Sequence, residues 1–155
     1  MIDREAESQT GNLALSVDTV RELWSKTYNS EGKPDWSHIL PHYHPNIVFR
    51  DSIQKIEGIH EFEEMCHRLT RRCSKLVMDI HNIAQQGDTI VMEWTMTMVF
   101  RRLPNSSIHG CSRLRIGEDG RIIEQRDYYD LWGGIFDRLP VIRPLYRKFM
   151  RVFFG

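Results

Sequence analysis

The stretch Gly120–Asp130, GRIIEQRDYYD, and the preceding segment Ile108–Ile116, IHGCSRLRI, have the pattern of two strands joined by a tight turn. The turn, Gly117-Glu118-Asp119-Gly120, places an Asp-Gly pair where a hairpin needs residues that tolerate positive φ. Because side chains alternate along a strand, Asp127 shares one face with an aliphatic, an amide and an aromatic side chain. These neighbours are Ile123, Gln125 and Tyr129. A carboxylate on such a face is unusual, and it makes Asp127 the first candidate for chemistry.

Composition limits the kind of protein this is. A chain of 155 residues with 41% hydrophobic and 27% charged residues has the size and balance of one soluble globular domain. Its formal net charge is zero, so no overall field attracts nucleic acid, and we expect no nucleic-acid partner. Cys66, Cys73 and Cys111 cannot all pair and share no metal spacing, which favours a reducing compartment. Without a signal-like segment or an apolar run of ~20 residues, the expected location is cytoplasmic.

The order of elements predicts an α+β domain. Residues 1–15 are expected to form a flexible tail, residues 16–132 the domain, and residues 133–155 a C-terminal amphipathic helical extension. Within the domain, amphipathic helical patterns come first and strand-like segments with turn signals follow. The predicted sheet strands are residues 47–52, 75–83, 89–103, 107–116 and 121–130. Such an order indicates a long, largely antiparallel sheet curved around helices, with a pocket between them for a small ligand.

One predicted strand carries a lipophilic stripe. Residues 89–103 alternate so that Trp94, Met96, Met98 and Phe100 share a face. Core packing is the more common meaning of such a stripe. In a curved sheet the same face is also the wall of the pocket, and Trp and Met would suit a flat or irregular hydrophobic ligand.

Two motifs carry a resemblance to a known superfamily. They are HPNIVFRDS at His44–Ser52, followed by a helix that begins after Gly58, and EDGRIIEQRDYYD at Glu118–Asp130. From about Val20 to Asp130 the chain resembles the nuclear transport factor 2-like superfamily, in particular its SnoaL-like polyketide cyclases, ketosteroid isomerases and limonene epoxide hydrolases. The resemblance implies a cone-shaped fold, a strongly bent sheet wrapped around helices, with a pocket at the wide end and often a dimer.

The resemblance also implies roles for particular residues. Asp127 stands where SnoaL-like cyclases have their acid/base aspartate and where the epoxide hydrolases have one of two, whereas Asp51 stands at the general base of the isomerases. The oxyanion donors of the isomerases fall near Trp24 and Ser112. In the epoxide hydrolases, the positions of the Arg and second Asp are occupied here by Met96 and Met98, and those of the water-holding Tyr and Asn by Phe49 and Asp51. The candidate catalytic residues are therefore Asp127 and Asp51, and the candidate substrate-binding residues are Trp24, Tyr28, Phe49, Trp94, Met96, Met98, Ser112 and Tyr129.

Two hypotheses for function follow. In the first, the protein is an enzyme of isomerase, cyclase or hydrolase type acting on a small hydrophobic molecule. In an apolar cavity, Asp127 would have a raised pKa, and a second carboxylate at Asp51 would separate the two protonation states into an acid and a base. In the second, the same fold is a non-catalytic module that binds a small ligand or pairs with another chain.

The remaining predictions concern cofactors and partners. We expect no metal and no organic cofactor, since His42 and His44 flank a bend and His60 and His67 lie on an exposed helix face. We expect a homodimer through the outer face of the sheet, which should carry Thr95, Thr97, His109, Cys111 and Arg113. The segment Arg143–Phe154 is expected to dock on its own domain or on the dimer mate. Contact of its basic side with an anionic membrane surface is the alternative that we do not favour.

Overall fold

The computed structural model describes residues 15–28, 33–100, 105–134 and 139–155. Its elements are those of an α+β domain: one α-helix precedes the first two strands, a second α-helix separates them from the other four strands, and the C-terminus is helical. The predicted tail at residues 1–15 lies outside the described residues apart from Leu15, which is buried in the core.

Two helices pack on one face of the sheet. Helix α1, Val17–Tyr28, begins after Ser16, whose hydroxyl accepts a hydrogen bond from the Thr19 backbone N–H at 3.2 Å. Its buried side chains, at helical spacing, are Val20, Trp24, Thr27 and Tyr28. Helix α2, Ile59–Arg72, follows Gly58, which has a φ of +92°. It buries Phe62, Cys66 and Thr70, four residues apart along one stripe, and so presents a continuous apolar edge to the strands.

The strands form one curved, unclosed sheet. They are β1 (Tyr43–Arg50), β2 (Lys55–Glu57), β3 (Cys73–Gln86), β4 (Thr89–Phe100), β5 (Ser106–Ile116) and β6 (Ile122–Tyr129). Their order across the sheet is β2-β1-β6-β5-β4-β3, and all neighbouring pairs are antiparallel except β1 and β6. The parallel pairing of β1 with β6 brings the first strand of the chain beside the last, next to Asp127.

The predicted hairpin between β5 and β6 is confirmed. Gly120 has a φ of +78°, and the Gly117 N–H donates to the Arg121 carbonyl at 2.7 Å. Immediately after the turn, Ile123 has no partner in the register, because Ile122 pairs with Ile116 and Glu124 pairs with Arg115. This bulge shifts the alternation by one residue. Ile122, rather than Ile123, is therefore fully buried, and the predicted facing of Ile123 is wrong although that of Gln125 and Asp127 holds.

The core lies between the inner face of the sheet and the two helices. Inner-face side chains at alternate positions of β4, which include Ile90, Met92, Trp94 and Met98, are buried. Aromatic rings link this face to the helices: Tyr43 lies 4.6 Å from Phe62 and Phe49 lies 5.4 Å from Phe62, measured between ring centroids. The lipophilic stripe of β4 is thus core packing for most of its length, while Met96 and Phe100 are only half-buried.

The strand bounds differ from the sequence prediction near Asp51. Strand β1 begins at Tyr43 and ends at Arg50, so Asp51 lies just beyond the strand rather than within it. The hydrogen-bonded turn that follows leads into the short strand β2, which the sequence analysis did not predict. Pro45 obscured the early start of β1, since proline is uncommon in paired strands. The register between β1 and β6 indeed shifts between Tyr43 and Val48.

The C-terminal segment is helical, and its longer helix leaves most of its apolar side chains exposed. Helix α3 is Leu131–Gly134, and helix α4 spans Ile142–Phe154. The Tyr146 ring stacks on Trp132 at 4.4 Å, whereas Phe149 and Phe153, which docking on the domain would bury, are exposed. The expectation that this helix docks on its own domain is therefore wrong for these side chains, and docking on a dimer mate stays a prediction. Among the described helices, none has the length and apolar run that crossing a bilayer requires.

The Trp94 ring fills the space that a side chain at residue 110 would need, so a single methyl group there should be destabilising. A Cβ built on Gly110 would lie 2.4 Å from Cη2 and 2.5 Å from Cζ2 of the buried Trp94 ring, too close for either atom to be accommodated without movement. We expect Gly110→Ala to lower the free energy of unfolding by roughly 1–3 kcal/mol, measured by urea denaturation.

A double variant provides the control for this prediction. In a Trp94→Phe background the smaller ring leaves room for the methyl group, so the cost of Gly110→Ala should shrink. An equal cost in both backgrounds would show that the ring is not its cause.

Candidate functional site

Asp127 lies on the inner face of the sheet, near the point where the first and last strands meet. Strand β6 is flanked by β1 and β5, and Asp127 is paired in register with Ser112 of β5. The side chain is half-buried, unlike Ser112 and Gln125 beside it, which are buried. The sheet therefore holds a carboxyl group against the core while leaving part of it within reach of solvent.

The first hydrogen-bond chain to Asp127 comes from β4 through β5. The indole N–H of Trp94 donates to the Ser112 hydroxyl oxygen at 2.9 Å. The Ser112 hydroxyl in turn donates to Oδ1 of Asp127 at 2.6 Å. Because indole nitrogen can only donate, its bond orients the hydroxyl proton of Ser112 toward the carboxylate.

The second chain comes from β1 through β6 itself. The Tyr43 hydroxyl donates to Oε1 of Gln125 at 2.5 Å, and Nε2 of Gln125 donates to the same Oδ1 of Asp127 at 2.9 Å. Because an ionised carboxylate can only accept, the contact with Asp127 fixes which end of the Gln125 amide is the donor. Both chains therefore point their donors at one oxygen of the carboxyl group.

This arrangement separates the two oxygens of Asp127 into different roles. Oδ1 accepts both hydrogen bonds, whereas no hydrogen bond reaches Oδ2 within the described part of the chain. When Asp127 is protonated, its proton consequently belongs on Oδ2. The same oxygen is the one that can exchange a proton with a bound molecule.

The pKa of Asp127 is raised from the ordinary 3.8 to about 6. Burial against the core is the main cause, because it disfavours the charged form. The hydrogen bonds from Ser112 and Gln125 favour the charged form and limit the rise, while the negative charge of Asp51 adds to it. A carboxyl group in this range is present in both protonation states near neutral pH, which suits proton transfer.

Asp51 is engaged in a turn on one side and with Tyr129 on the other. Its Oδ1 accepts the backbone N–H groups of Ile53 and Gln54, each at 2.8 Å, and its Oδ2 accepts the Tyr129 hydroxyl at 3.1 Å. Both oxygens are thus occupied in holding the turn and the Tyr129 ring. The pKa of Tyr129 is raised, first by burial and then by the Asp51 charge, so its hydroxyl remains a donor.

Other ionisable groups near Asp127 stay protonated at neutral pH. Burial, with the charge of Asp127 as the next cause, raises the pKa of the Cys66 thiol to about 12. Burial also raises the pKa of Tyr28 and Tyr43 well above the ordinary range. A protonated thiol is a poor nucleophile, so Cys66 does not offer nucleophilic catalysis.

The structure brings together some of the sequence-predicted site residues and leaves others apart. Asp127 is hydrogen-bonded to Ser112 directly and to Trp94 through Ser112, and Tyr129 is hydrogen-bonded to Asp51. The Trp94 and Tyr129 rings, 6.4 Å apart between centroids, place these two groups side by side. The other predicted substrate-binding residues lie in the packed core or on the β4 face: Trp24, Tyr28, Phe49, Met96 and Met98.

Sequence reasoning missed two members of the site, Tyr43 and Gln125. Gln125 was placed on the inner face, and an inward amide two residues before an inward carboxylate is a signal that could have been used. Tyr43 could not be connected to Asp127, because the parallel pairing of β1 with β6 links residues 82 positions apart in the Tyr43–Gln125 bond.

Two open concavities lie beside the sheet rather than over Asp127. One, of about 340 Å³, is lined by Val48, Arg50, Lys55, Arg115, Ile123 and Glu124. The other, of about 390 Å³, is bordered by Asp51 and the following turn together with Arg50 and Arg126. Among the described residues, no group of three or more His, Cys, Asp or Glu side chains is arranged to hold a metal ion.

Comparison with known proteins identifies relatives of this chain. The profile of a family described as SnoaL-like domain matches residues 20–125. No curated protein matches the chain at a significant level.

Solved structures share the fold at low sequence identity. An LEH-like epoxide hydrolase of M. tuberculosis is 19% identical, with a TM-score of 0.62, covering 88% of this chain and 93% of that one. A protein of Jannaschia sp. CCS1, assigned as a SnoaL-like polyketide cyclase, is 20% identical, with a TM-score of 0.64 and coverages of 82% and 90%. A Catenulispora acidiphila protein with a ketosteroid isomerase-like fold, in complex with trimethylamine, is 14% identical, with a TM-score of 0.64 and coverages of 76% and 88%. The nuclear transport factor 2-like cone fold is thereby established.

The raised pKa of Asp127 predicts how Asp127→Asn changes stability with pH. The Asn Oδ1 can accept the same two hydrogen bonds but cannot ionise. Since the folded pKa of about 6 exceeds the ordinary 3.8, the protonated form favours folding, and this contribution is lost as pH rises through 6. Between about pH 4 and pH 8, wild type should lose roughly 1–3 kcal/mol relative to Asp127→Asn.

The measurement is the free energy of urea unfolding of both proteins across this pH range. A second variant, Ser112→Ala, removes a donor that favours the ionised carboxylate and so raises the folded pKa of Asp127 further. Its loss of stability, relative to Asp127→Asn in the same background, should therefore be larger in total and continue to a higher pH than in wild type. A wild-type to Asn difference that does not vary with pH would contradict the assignment.

Proposed function

We propose that this chain, which belongs to the SnoaL-like domain family, is a cofactor-free acid/base enzyme that acts on a small hydrophobic molecule through Asp127. The observation that supports this proposal is the asymmetric hydrogen bonding of Asp127. One oxygen is fixed by Ser112 and Gln125, and the other is without a hydrogen bond among the described residues. A half-buried carboxyl group held in this way, with a pKa of about 6, can both accept and return a proton.

The proposed chemistry begins with ionised Asp127. Its Oδ2 removes a proton from the bound molecule, or from a water molecule that attacks it, and the carboxylic acid so formed later returns the proton to the product. Ser112 and Gln125 keep the carboxyl plane fixed throughout, since each is oriented by a further donor, Trp94 or Tyr43. Proton abstraction beside a carbonyl, and addition with an aldol-like or hydrolytic outcome, are the reaction types that such a group serves.

Asp51 and Tyr129 have supporting roles in this proposal. Asp51 uses both oxygens in hydrogen bonds, so we assign it to positioning Tyr129 and to raising the pKa of Asp127 rather than to proton transfer. Two half-buried side chains of the inner face, Tyr129 and Met96, would contact the hydrophobic substrate. The role of Asp51 therefore differs from the sequence hypothesis, in which both Asp127 and Asp51 are catalytic.

A non-catalytic binding module is the second candidate function. The observation in its favour is that the hydrogen bond from Ser112 to Asp127 also ties β5 to β6, which is what a structural carboxylate would do. In that case the inner face would hold a hydrophobic ligand without changing it. Binding of a small hydrophobic ligand by wild type without any turnover would favour this second function.

A chromogenic carbon acid tests the first function without knowledge of the natural substrate. Nitrobenzisoxazole opens to a coloured phenolate when a base removes its ring proton, and it is small and flat. We expect wild type to accelerate this reaction, with a rate that rises with pH and is half-maximal near pH 6, because the base form of Asp127 is required. Asp127→Asn should reduce the rate by about 10²–10⁴-fold.

Styrene oxide provides the second probe, because one structural relative is an LEH-like epoxide hydrolase. Its hydrolysis should show the same dependence on Asp127. Gln125→Leu, which removes a donor to the fixed oxygen, should shift the midpoint of the pH profile upward. Equal rates for wild type and Asp127→Asn with both probes would argue against the enzyme proposal.

We also propose a homodimer through the outer face of the sheet. This face carries exposed apolar side chains, Val91 and Tyr128, beside the hydrogen-bonded trio of His81, Thr95 and His109. A sheet face not covered by its own helices is suited to a second copy. The residues expected at the interface are Thr95, Thr97, His109, Cys111 and Arg113.

Light scattering at micromolar concentration tests the dimer. Thr97→Glu puts a charge on the outer face of β4, and in a two-fold interface that charge meets its symmetry mate or an apolar surface. We expect the variant to be monomeric and the wild type dimeric. The control is Gln86→Glu, a charge at the exposed end of β3, and a monomeric wild type would refute the proposal.

A further inference from the structure

Helix α4 exposes a large apolar surface that no other described element covers. Leu145 and Phe153 are exposed to 72% and 67%, and Ile142, Phe149 and Val152 are also exposed. Scattered exposed apolar residues are ordinary, but a contiguous set on one helix marks a site of interaction. The described chain itself contributes Trp132, which stacks on Tyr146 at the start of the helix.

The two faces of α4 differ sharply in chemistry. At 100° per residue, the apolar side chains share one half of the helix: Ile142, Leu145, Tyr146, Phe149, Met150, Val152 and Phe153. The opposite half carries the basic residues Arg143, Arg147, Lys148 and Arg151, all of them exposed. The sequence has no Asp or Glu between residues 139 and 155.

This pattern selects among the partners that could cover the apolar face. A second copy of α4 would bring basic residues toward the first copy, and α4 itself carries no Asp or Glu to offset them. On the outer face of the sheet, Arg50, Arg113 and Arg126 lie near one another in the register, and the acidic Glu124 beside them is already paired with Arg113 and Arg115. A surface with an apolar interior and negatively charged groups at its boundary can contact the apolar half and the basic half of the helix at the same time.

We propose that α4 binds the surface of an anionic phospholipid bilayer. The helix of 13 residues lies in the plane of the interface, with its aromatic and aliphatic side chains among the acyl chains and its basic side chains at the headgroups. Trp132 and Tyr146, whose rings are stacked at 4.4 Å, lie at the headgroup level where aromatic rings are favoured. This inference does not depend on the proposed enzymatic function.

Vesicle co-sedimentation tests the proposal on the full chain. The probes are vesicles of phosphatidylcholine alone and vesicles with phosphatidylserine added. We expect binding to the second kind and at least tenfold weaker binding to the first, with the difference reduced by added salt. Each basic side chain near an anionic surface contributes about fivefold in affinity, so Lys148→Gln with Arg151→Gln should weaken binding by roughly 25-fold.

The apolar half of the helix is tested separately. Phe149→Ser with Phe153→Ser should abolish binding to both vesicle types while leaving thermal stability unchanged, because the two rings are exposed. The matched control is Ile53→Ser, which removes an apolar side chain that is 70% exposed outside the helix. It should bind vesicles as wild type does.

Three outcomes would overturn the proposal. The first is that wild type fails to sediment with phosphatidylserine vesicles. Equal loss of binding in Ile53→Ser would show non-specific adsorption. A Phe149→Ser, Phe153→Ser variant that melts at a lower temperature, or that changes from dimer to monomer, would show that the helix instead packs on its own domain or on a second copy.

Discussion

The meeting of two hydrogen-bond chains on one oxygen of Asp127 is the constraint on which the site depends. Trp94 acts through Ser112 and Tyr43 acts through Gln125, so four strands contribute to holding a single carboxyl group. Each intermediate group is both donor and acceptor, and the direction of the bonds is set by the indole N–H, which can only donate, and by the ionised carboxylate, which can only accept. Such a network rigidifies a site when every member is satisfied, and removing one member leaves a buried polar group without its partner.

Burial and hydrogen bonding act in opposition on the same carboxyl group. Burial alone would keep Asp127 protonated, whereas its two donors favour the ionised form, and the balance places its pKa near neutral pH. A fully exposed aspartate would be too acidic to return a proton, and an unsupported buried one would resist ionisation. This balance lowers the free energy of unfolding at neutral pH, because the folded state then contains a partly buried negative charge.

The domain and its C-terminal helix follow different physical rules. The inner sheet face and helices α1 and α2 bury their apolar stripes within the chain, and aromatic contacts of Tyr43, Phe49 and Phe62 join them. Helix α4 has an apolar stripe of comparable strength but keeps it exposed. Amphipathic periodicity therefore specifies that a helix needs a partner surface, and it does not specify whether that surface is protein or lipid.

Local pattern alone determined the α+β class, the β5–β6 hairpin with its positive-φ Gly120, and the inward facing of Asp127. It could do so because strand alternation and turn chemistry act over a few residues. Tertiary structure decided what lies at long range. The parallel pairing of β1 with β6 brings Tyr43 to Gln125, the turn after β1 occupies Asp51, and the bulge at Ile123 turns Ile122 inward. The exposure of α4 is decided in the same way, since burial depends on which surfaces meet and no periodicity within a helix encodes its partner.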